Sequence, residues 1–467
     1  MKEEMINTNR RSFIGELSCA SVGSIAALSS ALNLKLVGSL SAAETLASED
    51  FKALVCVFLA GGNDSFNMLL PQAGEEYAEY AVARRSLALP TTEITPLSHT
   101  LPDGRQLGVN SNMPGLISLY EGGKAAFVSN VGTLIERTTV ASIQAGTATL
   151  PLGLFSHSDQ QLHWQTSLPE TRLPDSGWAG RLGDYFQDLN GVSGVSMNMS
   201  TAGTNIFQSS SGTAVFSKSP GTLPGLANWE TGSYLNRRRA IETVLEAEYQ
   251  NVFERALASK TVAAIAASKE YRDAVATAPE ITSPFTMTNP ISAQLKDVVQ
   301  SISAREGLSK KRQTFFVKAP GWDLHSSLDP HATMLAQLSE AITEFQVAIE
   351  SMNLSDNVTL FTASDFGRTL SPNGGGSDHA WGGNQIVVGG AVNGKKVYGS
   401  YPELALGNPL DSGRGRLVPT LSVDEYFAEL ALWMGVPKSS LAMILPNVGR
   451  FYDTSLPEPP LGLMNLL

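Results

Sequence analysis

Carboxylate and imidazole side chains follow several apolar runs of this sequence, at the points where the runs end. The run 53–60 is followed by GGNDSFN, the run 314–318 by APGWDLHSS and the run 358–363 by SDFGR. A glycine loop then leads to GSDHAWGG. Carboxylate oxygens together with neutral imidazoles suit Zn, Mn, Mg or Ca, so these segments carry the side chains that a site for one or two cations requires. The candidate ligands are Asp64, Asp323, His325, Asp365, Asp378 and His379.

A further group of polar residues follows the apolar run 125–131 at a greater distance along the chain. The segment LFSHSDQQLHW places Ser156, His157 and Ser158 directly ahead of a helical pattern. In open parallel sheets, helix N-termini and loops with unpaired amides converge outside the carboxyl ends of the strands. We therefore expect this segment to lie near the candidate ligands.

Each of these residues also has a structural interpretation. A single Asp after a strand often forms a turn or caps a helix, and a single His often packs in the core. The coincidence of several such residues at strand ends favours the joint hypothesis of a metal site. His163 and His331 lie within helical patterns and are interpreted as capping or packing residues, and His99 carries no signal.

The elements that position these residues follow from the apolar pattern. Short apolar runs bounded by Gly, Pro or Asn alternate with longer helical patterns. This alternation predicts an α/β fold with a mostly parallel central sheet and helices on both faces. The glycine loop would then return His379 over the end of the strand 358–363. The predicted strands are Ala53–Ala60, Ala125–Val131, Val192–Met199, Thr314–Lys318, Val358–Ala363 and Gln385–Val388.

Helices are predicted where apolar residues recur at spacings of three and four. The clearest is Pro330–Met352, whose apolar residues form one stripe along the helix. The other predicted helices are Glu75–Arg85, Met113–Glu121, Arg239–Ala267, Ile291–Ala304 and Val423–Met434.

The domain organisation is read from composition. A segment rich in Ser, Thr and Gly near 199–229 is interpreted as a surface insertion. Neither a repeat nor a clear linker divides the rest of the sequence. Residues 44–467 are therefore predicted to form a single domain with this insertion.

Residues 1–43 differ from the rest of the chain. Arg10 and Arg11 precede Phe13 and a mildly apolar run rich in Ala, Ser, Gly and Leu. This pattern is similar to a twin-arginine signal peptide, with a small-residue cleavage site at 41–43, and the alternative is an amphipathic N-terminal helix. Export would make the twin-arginine translocase a partner and the mature protein periplasmic or secreted.

Charge and hydropathy restrict the classes of partner. The formal net charge of −11 disfavours a nucleic-acid partner. No segment after residue 50 has the unbroken apolar length of a membrane span. Of the two cysteines, Cys19 lies in the predicted signal, and Cys56 lies in the apolar run ALVCVFLAGG as a small core residue.

Six ordered motifs resemble one protein family. They are LAGGNDSFNMLLP, FSHSDQQLHW, GWAGRLGDYF, APGWDLHS, SDFGRT and GSDHAWGG, spread over roughly residues 50–435. The family is the domain of unknown function 1501 (DUF1501), a set of exported bacterial proteins placed near the alkaline phosphatase and sulfatase superfamily. The resemblance implies an alkaline phosphatase/sulfatase-like fold and a divalent metal cofactor, which would be Zn, Mn, Ca or Mg.

The resemblance also implies roles for individual residues. The candidate aspartates and histidines would ligate the metal, with Asp323 and His325 as one pair and His379 as a late imidazole. The nucleophile would be Ser156 or Ser158 at a helix N-terminus, and His157 between them would ligate or act as a base. Arg368 would hold a phosphate or sulfate oxygen, or else form a salt bridge to a neighbouring carboxylate.

Two functional hypotheses follow from these assignments. The first is an exported metal-dependent hydrolase of phosphate or sulfate esters, acting on a small molecule or a glycan. The second is an exported binding or assembly protein that retains a degenerate metal or anion site. The related enzymes place an Asp-His pair at the end of the late strand, whereas this chain has Asp365-Phe366 there, which favours the second hypothesis. The ordered clustering of Asp, His and Ser favours the first.

Overall fold

A mixed sheet, whose strands are mostly parallel, forms the centre of the protein. The computed structural model describes residues 50–226, 229 and 232–466. Within these residues the sheet has nine strands in the order β13-β5-β12-β9-β1-β8-β6-β7, with β14 beside β5. Among the described strands of this central sheet, only β12 runs antiparallel to its neighbours, β5 and β9. The strands are β1 (Lys52–Ala60), β5 (Ala125–Gly132), β6 (Asn198–Ser200), β7 (Phe216–Ser217), β8 (Arg312–Pro320), β9 (Val358–Ser364), β12 (Gly383–Val388), β13 (Val397–Tyr398) and β14 (Leu421–Ser422).

Two smaller sheets lie outside this central sheet. One is three-stranded in the order β2-β4-β3, and the other is the hairpin β10-β11. Their strands are β2 (Leu69–Pro71), β3 (Ile94–Thr100), β4 (Gln106–Asn110), β10 (Arg368–Pro372) and β11 (Ser377–His379).

Helices cover both faces of the sheet. Alternate side chains of β1 enter two different hydrophobic clusters, because successive residues of a strand point to opposite faces. Apolar residues of α2, α8 and α9 pack in one cluster, and those of α5 and α10 pack in the other. The helices are α1 (Gly74–Arg84), α2 (Pro114–Glu121), α3 (Val140–Gln144), α4 (His157–Thr166), α5 (Trp178–Tyr185), α6 (Leu235–Leu245), α7 (Val252–Thr277), α8 (Pro290–Ser303), α9 (Pro330–Ser351), α10 (Val423–Met434) and α11 (Leu441–Ile444).

The register of the three central strands brings their carboxyl ends to one place. In the parallel ladders, Ala60 at the end of β1 pairs with Pro320 of β8, and Leu59 pairs with Ser364 of β9. The residues that follow these strands therefore emerge side by side at one edge of the sheet. This edge contains most of the candidate ligands.

Most predicted elements are confirmed within a few residues of their predicted ends. Two predictions are wrong. The strand predicted at Val192–Met199 is reduced to β6, because Ser193 bonds the amide of Val195 in a local turn that competes with ladder formation. The helix predicted at Arg239–Ala267 is divided into α6 and α7, where the Asn251 side chain accepts from the amide of Phe253 and caps a new helix.

The predicted insertion contributes an edge strand, β7, which pairs in parallel with β6. The predicted signal at residues 1–43 lies outside the described residues. Among the described helices, none combines the length and the apolar character that a membrane crossing needs.

A buried carboxyl group at the start of α10 makes stability depend on pH. Asp424 is fully buried and accepts hydrogen bonds from the hydroxyls of Ser167 (2.8 Å) and Ser422 (2.9 Å). Burial raises the pKa of Asp424 to about 7, against about 3.9 in an unfolded chain. The folded state therefore retains this proton at a pH where the unfolded state has lost it.

We predict that Asp424→Asn reduces the loss of stability on going from about pH 5 to about pH 8. In the wild type, the stability that comes from the raised pKa of Asp424 is fully present below about pH 3.9. It decreases as the pH rises and is lost above about pH 7. The variant cannot ionise, so at about pH 8 it avoids a penalty on the order of 2–4 kcal/mol. Melting temperatures at both pH values test this, with the exposed Asp188→Asn as the control. Equal losses for the wild type and Asp424→Asn would contradict the prediction.

Candidate metal centre

Two glycines after β1 allow the ends of the central strands to come close together. Gly61 has a φ of +122°, and a Cβ atom at this position would lie 2.4 Å from the amide nitrogen of Asp323. The Gly61 amide donates a hydrogen bond of 3.1 Å to Asp365 Oδ1. At Gly62, with a φ of +88°, a Cβ atom would lie 2.6 Å from the Phe366 ring. No other residue type fits either position without displacing a neighbour, because both require positive φ as well as space.

The hairpin β10-β11 returns the chain to the same edge of the sheet. It pairs Arg368 with His379, so His379 lies back beside the end of β9, as the sequence predicts. The turn is held against the segment after β8, since a Cβ atom on Gly376 would lie 2.2 Å from the carbonyl oxygen of Leu324. The Ser377 amide donates to this same carbonyl group. The hairpin therefore fixes His379 and the segment after β8 relative to each other.

Three imidazole rings converge on one carboxyl group. Asp323 Oδ1 lies 3.0 Å from Nε2 of His325 and 3.5 Å from Nε2 of His379. Asp323 Oδ2 lies 3.4 Å from Nε2 of His157. One potential ligand atom from each of His157, Asp323 and His379 lies within 4.8 Å of the other two. We call His157, Asp323, His325 and His379 the histidine cluster.

Hydrogen bonds on the far side of two rings fix their orientation and their tautomers. Nδ1 of His157 lies 2.7 Å from Oδ2 of the fully buried Asp365. Nδ1 of His379 lies 2.7 Å from the carbonyl oxygen of Phe155. Because both oxygens are acceptors, each Nδ1 carries the proton, and each neutral ring keeps its lone pair on Nε2. Metal-binding histidines are held in this same way by carboxylates or carbonyl groups.

The third ring brings a second Nε2 atom against the first. Nδ1 of His325 lies 3.3 Å from Oδ1 of Asp378 and 3.4 Å from Nδ2 of Asn373, so it can donate to the carboxylate or accept from the amide. Nε2 of His325 lies only 2.8 Å from Nε2 of His379. At this separation the two nitrogens share either a proton or a metal ion, because two facing lone pairs repel each other. A proton would satisfy this pair alone, whereas a metal ion can also bind Asp323 and His157.

Charge at the cluster is set by nearby groups. The hydrogen bond to Asp365 raises the pKa of His157. Partial burial, opposed by the hydrogen bond to Phe155, lowers the pKa of His379 and favours its neutral ring. Partial burial alone would raise the pKa of Asp323, but the hydrogen bond and charge of Arg368 outweigh it and hold the pKa below its usual value. An ionised carboxylate and neutral rings are the forms that bind metals.

The histidine cluster is open to solvent on one side and closed by an aromatic ring on the other. The side chain of Asp323 is 45% exposed and that of His157 is 32% exposed. Phe366 is buried, and its ring centroid lies 4.9 Å from that of His157 and 4.4 Å from that of His379. Phe366 thus packs against both rings from the side opposite the solvent. Solvent access on the other side leaves room for a substrate.

The structure divides the predicted ligands into different groups. Asp323, His325 and His379 belong to the histidine cluster, together with His157. Asp365 and Asp378 lie behind the rings of His157 and His325 as acceptors for Nδ1. The sequence alone could not distinguish a metal ligand from an acceptor for a ring nitrogen, because a carboxylate serves equally well in either role.

Asp64 lies outside the histidine cluster, and the prediction that it is a ligand is corrected here. Its Oδ2 forms an ion pair with Arg84, whose guanidinium is fully buried and also donates to the carbonyl oxygen of Thr369. The same Oδ2 accepts from the hydroxyl of Ser377 at 3.3 Å. The charge of Asp64 is therefore neutralised by an arginine from the last turn of α1, and the pair joins this helix to β10.

The two serine hydroxyls form their hydrogen bonds at the N-terminus of α4. Ser156 is the N-cap of α4, and its Oγ accepts from the amide of Asp159. The Oγ atoms of Ser156 and Ser158 lie 3.1 Å apart. Within the described residues, neither hydroxyl bonds to the histidine cluster. His157, the first residue of α4, is the one that points inward.

Arg368 is a buried residue that connects several segments at this edge of the sheet. Its side chain is 1% exposed, and its Nη2 lies 2.6 Å from Asp323 Oδ1. The other donors bond the carbonyl groups of Gly61, Gly62 and Ser377. Arg368 therefore ties the end of β1 to β11 and orients Asp323, as in the salt-bridge alternative, and its donors are not directed to a substrate.

Sequence reasoning missed several residues that support the site. Gln161 donates to Asp365 Oδ2 at 2.9 Å, so it helps to orient the acceptor of His157. Its spacing of four residues from His157 on α4 could have indicated this role, since such residues share one face of a helix. The carbonyl group of Phe155 carries no side-chain signal and could not have been found from sequence.

Comparisons with known proteins support the family resemblance over part of the chain. Residues 197–412 match the model of a family described as "Protein of unknown function (DUF1501)", so this part of the chain, just under half, is similar to that family. The matched segment includes Asp323, His325, Asp365 and His379, and it ends before α10. No curated protein matches the sequence.

Solved structures with a likeness to this chain include sulfatases. Ps i-CgsB in complex with k-i-k-neocarrahexaose has 10% sequence identity and a TM-score of 0.34, over 86% of this chain and 78% of that one. The PsFucS1 sulfatase from Pseudoalteromonas sp. has 10% identity and a TM-score of 0.30, over 79% and 68%. BT1596, a 2-O GAG sulfatase, has 10% identity and a TM-score of 0.27, over 74% and 66%. These TM-scores are too low to carry an inference about this chain.

We predict that the tag-free protein binds a divalent metal ion at the histidine cluster, with zinc bound more tightly than calcium because three of the ligands are imidazoles. His379→Ala should weaken zinc binding by about 100-fold or more, and Asp365→Asn, which acts through His157, by about 10- to 100-fold. Calorimetry and metal analysis give these values, with the partly exposed His99→Ala as the histidine control. Unchanged zinc affinity in His379→Ala would exclude the proposed centre.

Proposed function

We propose that the protein is a metal-dependent hydrolase of phosphate or sulfate esters. The observation that supports this most directly is the convergence of three imidazole Nε2 atoms on Asp323, at a solvent-accessible edge of the sheet. Structural metal sites are usually closed by their protein ligands, whereas catalytic sites leave a position open to water or substrate. The exposure of Asp323 and His157 fits the second type.

In this proposal His157, Asp323, His325 and His379 hold the metal. The ion would supply Lewis acidity and polarise the ester oxygen that it contacts. Asp365 and Asp378 keep the rings in place, and Arg368 keeps Asp323 ionised. The three imidazoles are neutral ligands, so the ion would retain positive charge and attract an anionic ester.

Two serines are candidates for the group that attacks the ester. Ser156 and Ser158 stand at the N-terminus of α4, where the helix dipole favours negative charge. Ser158 is exposed and its hydroxyl can rotate away from Ser156, whereas Ser156 is held as the N-cap. Ser158 is therefore the better candidate for a covalent mechanism, and direct attack by water needs neither serine.

A second function is favoured by one observation. The groups that were expected to act on an ester, namely the two serines and Arg368, are bonded to other protein atoms. A protein that binds a metal and an anion without turnover needs none of them. This exported binding or assembly protein is the alternative, with an ester, a glycan or another anion as its ligand.

Hydrolysis of phenyl phosphate and phenyl sulfate by the zinc-, manganese-, calcium- or magnesium-loaded protein tests the proposal. We expect turnover with at least one metal, and a decrease in kcat/KM of about 100-fold or more in His379→Ala. His99→Ala should retain wild-type activity. Zinc binding without hydrolysis of any ester would favour the binding protein.

The two serine variants then separate the mechanisms. A covalent mechanism through Ser158 predicts that Ser158→Ala lowers kcat by about 1,000-fold or more, with zinc affinity unchanged. Ser156→Ala should mainly lower the melting temperature, because it removes a helix cap worth about 1 kcal/mol. If both variants keep wild-type kcat, attack by water is the remaining route.

We also propose that residues 1–43 direct export through the twin-arginine translocase to the periplasm or beyond. The support is the pair Arg10-Arg11 ahead of an apolar run. Replacing both arginines by lysine should leave the full-length precursor in the cytoplasm. Unchanged export of this variant, measured by cell fractionation, would contradict the proposal.

A further inference from the structure

An exposed arginine stands next to the histidine cluster. Arg414 Nη1 lies 2.7 Å from Asp378 Oδ2, and the Arg414 side chain is 46% exposed. The other oxygen of Asp378 lies 3.3 Å from His325 Nδ1. Arg414 is thus separated from a cluster residue by a single carboxylate, which places its guanidinium within about 10 Å of the cluster.

The loop that contains Arg414 holds this residue in an unfavourable backbone conformation. Its φ is +62°, a left-handed conformation that is unfavourable for residues other than Gly. Asp411 Oδ1 maintains the loop by accepting from the amides of Gly413 (2.8 Å) and Gly415 (2.7 Å). The loop is fixed to β10, since the Arg414 carbonyl accepts from the amide of Ser371. Unfavourable backbone conformations that are held in this way are common at ligand sites.

Two further arginines near the cluster bond to protein atoms beside it. Arg368 is buried and bonded to carbonyl groups and to Asp323. Arg416 Nε donates to the carbonyl oxygen of His379, and its guanidinium lies over the Phe155 ring at 5.2 Å. The guanidinium of Arg414 bonds only to Asp378 within the described residues, and Arg414 is more exposed than Arg368 or Arg416. Arg414 is therefore an arginine with solvent-accessible donors available to a ligand.

We infer that Arg414 binds a second anionic group of the ligand, beside the phosphate or sulfate held at the histidine cluster. The inference rests on the proposed function, because the cluster must hold the first anionic group. Exposed ion pairs are weak, so the pair with Asp378 does not prevent Arg414 from contacting a ligand. The planar guanidinium presents donors on two edges, and one edge can bond to Asp378 while the other bonds to an anion. The preferred ligands are then esters that carry an additional carboxylate, sulfate or phosphate.

Binding of non-hydrolysable analogues to the full-length, zinc-loaded protein tests Arg414 without turnover. The probes are phenylphosphonate and para-carboxyphenylphosphonate, which differ by a second anionic group. We expect the wild type to prefer the second probe, and Arg414→Ala to weaken that binding by about 10- to 100-fold while changing phenylphosphonate binding by less than about threefold. Arg414→Lys should retain part of the preference. Arg450→Ala is the control, because Arg450 is 43% exposed and pairs with Glu170.

The inference would be overturned if Arg414→Ala lost the same affinity for both probes. It would also be overturned if the wild type bound both probes equally well. An equal loss would mean that Arg414 acts on His325 through Asp378, and zinc affinity would then decrease as well. Kinetics with phenyl phosphate and para-carboxyphenyl phosphate separate the inference from the proposed function. If neither ester is hydrolysed but the binding preference depends on Arg414, the hydrolase proposal fails and the inference stands.

Discussion

The structure depends on one constraint, which is that two imidazole rings have their protonated nitrogens bonded to fixed acceptors. Asp365 and the carbonyl group of Phe155 hold the Nδ1 atoms of His157 and His379, so the Nε2 lone pairs of these rings face Asp323, beside Nε2 of His325. The 2.8 Å between Nε2 of His325 and Nε2 of His379 requires a proton or a metal ion between the two nitrogens. The acceptors are therefore as important as the ligands, because a ring free to rotate would turn its lone pair away. Most other features of this edge of the sheet keep these acceptors in place.

Three parts of the fold maintain that arrangement. The parallel register ends β1, β8 and β9 together, which sets Asp365 beside the segment that carries Asp323. Gly61 and Gly62 let the backbone that follows β1 approach Asp323 and Phe366 more closely than any side chain would permit. Arg368 then bonds carbonyl groups from two of these segments and the Asp323 carboxylate at once. A buried arginine with this many acceptors fixes relative positions, and its removal would leave several carbonyl groups unpaired.

The sequence predicted where the site lies better than it predicted the role of each residue in the site. Strand β1 is predictable because its residues are nearly all apolar, and β8 and β9 are predictable because each contains a short run of apolar and β-branched residues. The polar residues that follow these strands must then meet at one edge. The division of carboxylates into ligands and ring acceptors depends on distances of a few ångströms. The pairing of Asp64 with Arg84 depends on where α1 packs, which no local pattern indicates. The reduced strand at β6 shows the same limit, since hydroxyl-to-amide bonds there compete with the ladder.

Arginine side chains offset much of the carboxylate charge at this edge of the sheet. Two buried arginines, Arg84 and Arg368, neutralise Asp64 and much of the charge of Asp323. The remaining ligands are neutral rings, so a divalent ion at the cluster would keep most of its charge and would require an anion or water on its open side. Asp378 is balanced in turn by Arg414, which prevents its carboxylate from repelling such an anion. At the edge where the three central strands end, arginine side chains therefore offset part of the negative charge of a protein whose formal net charge is −11.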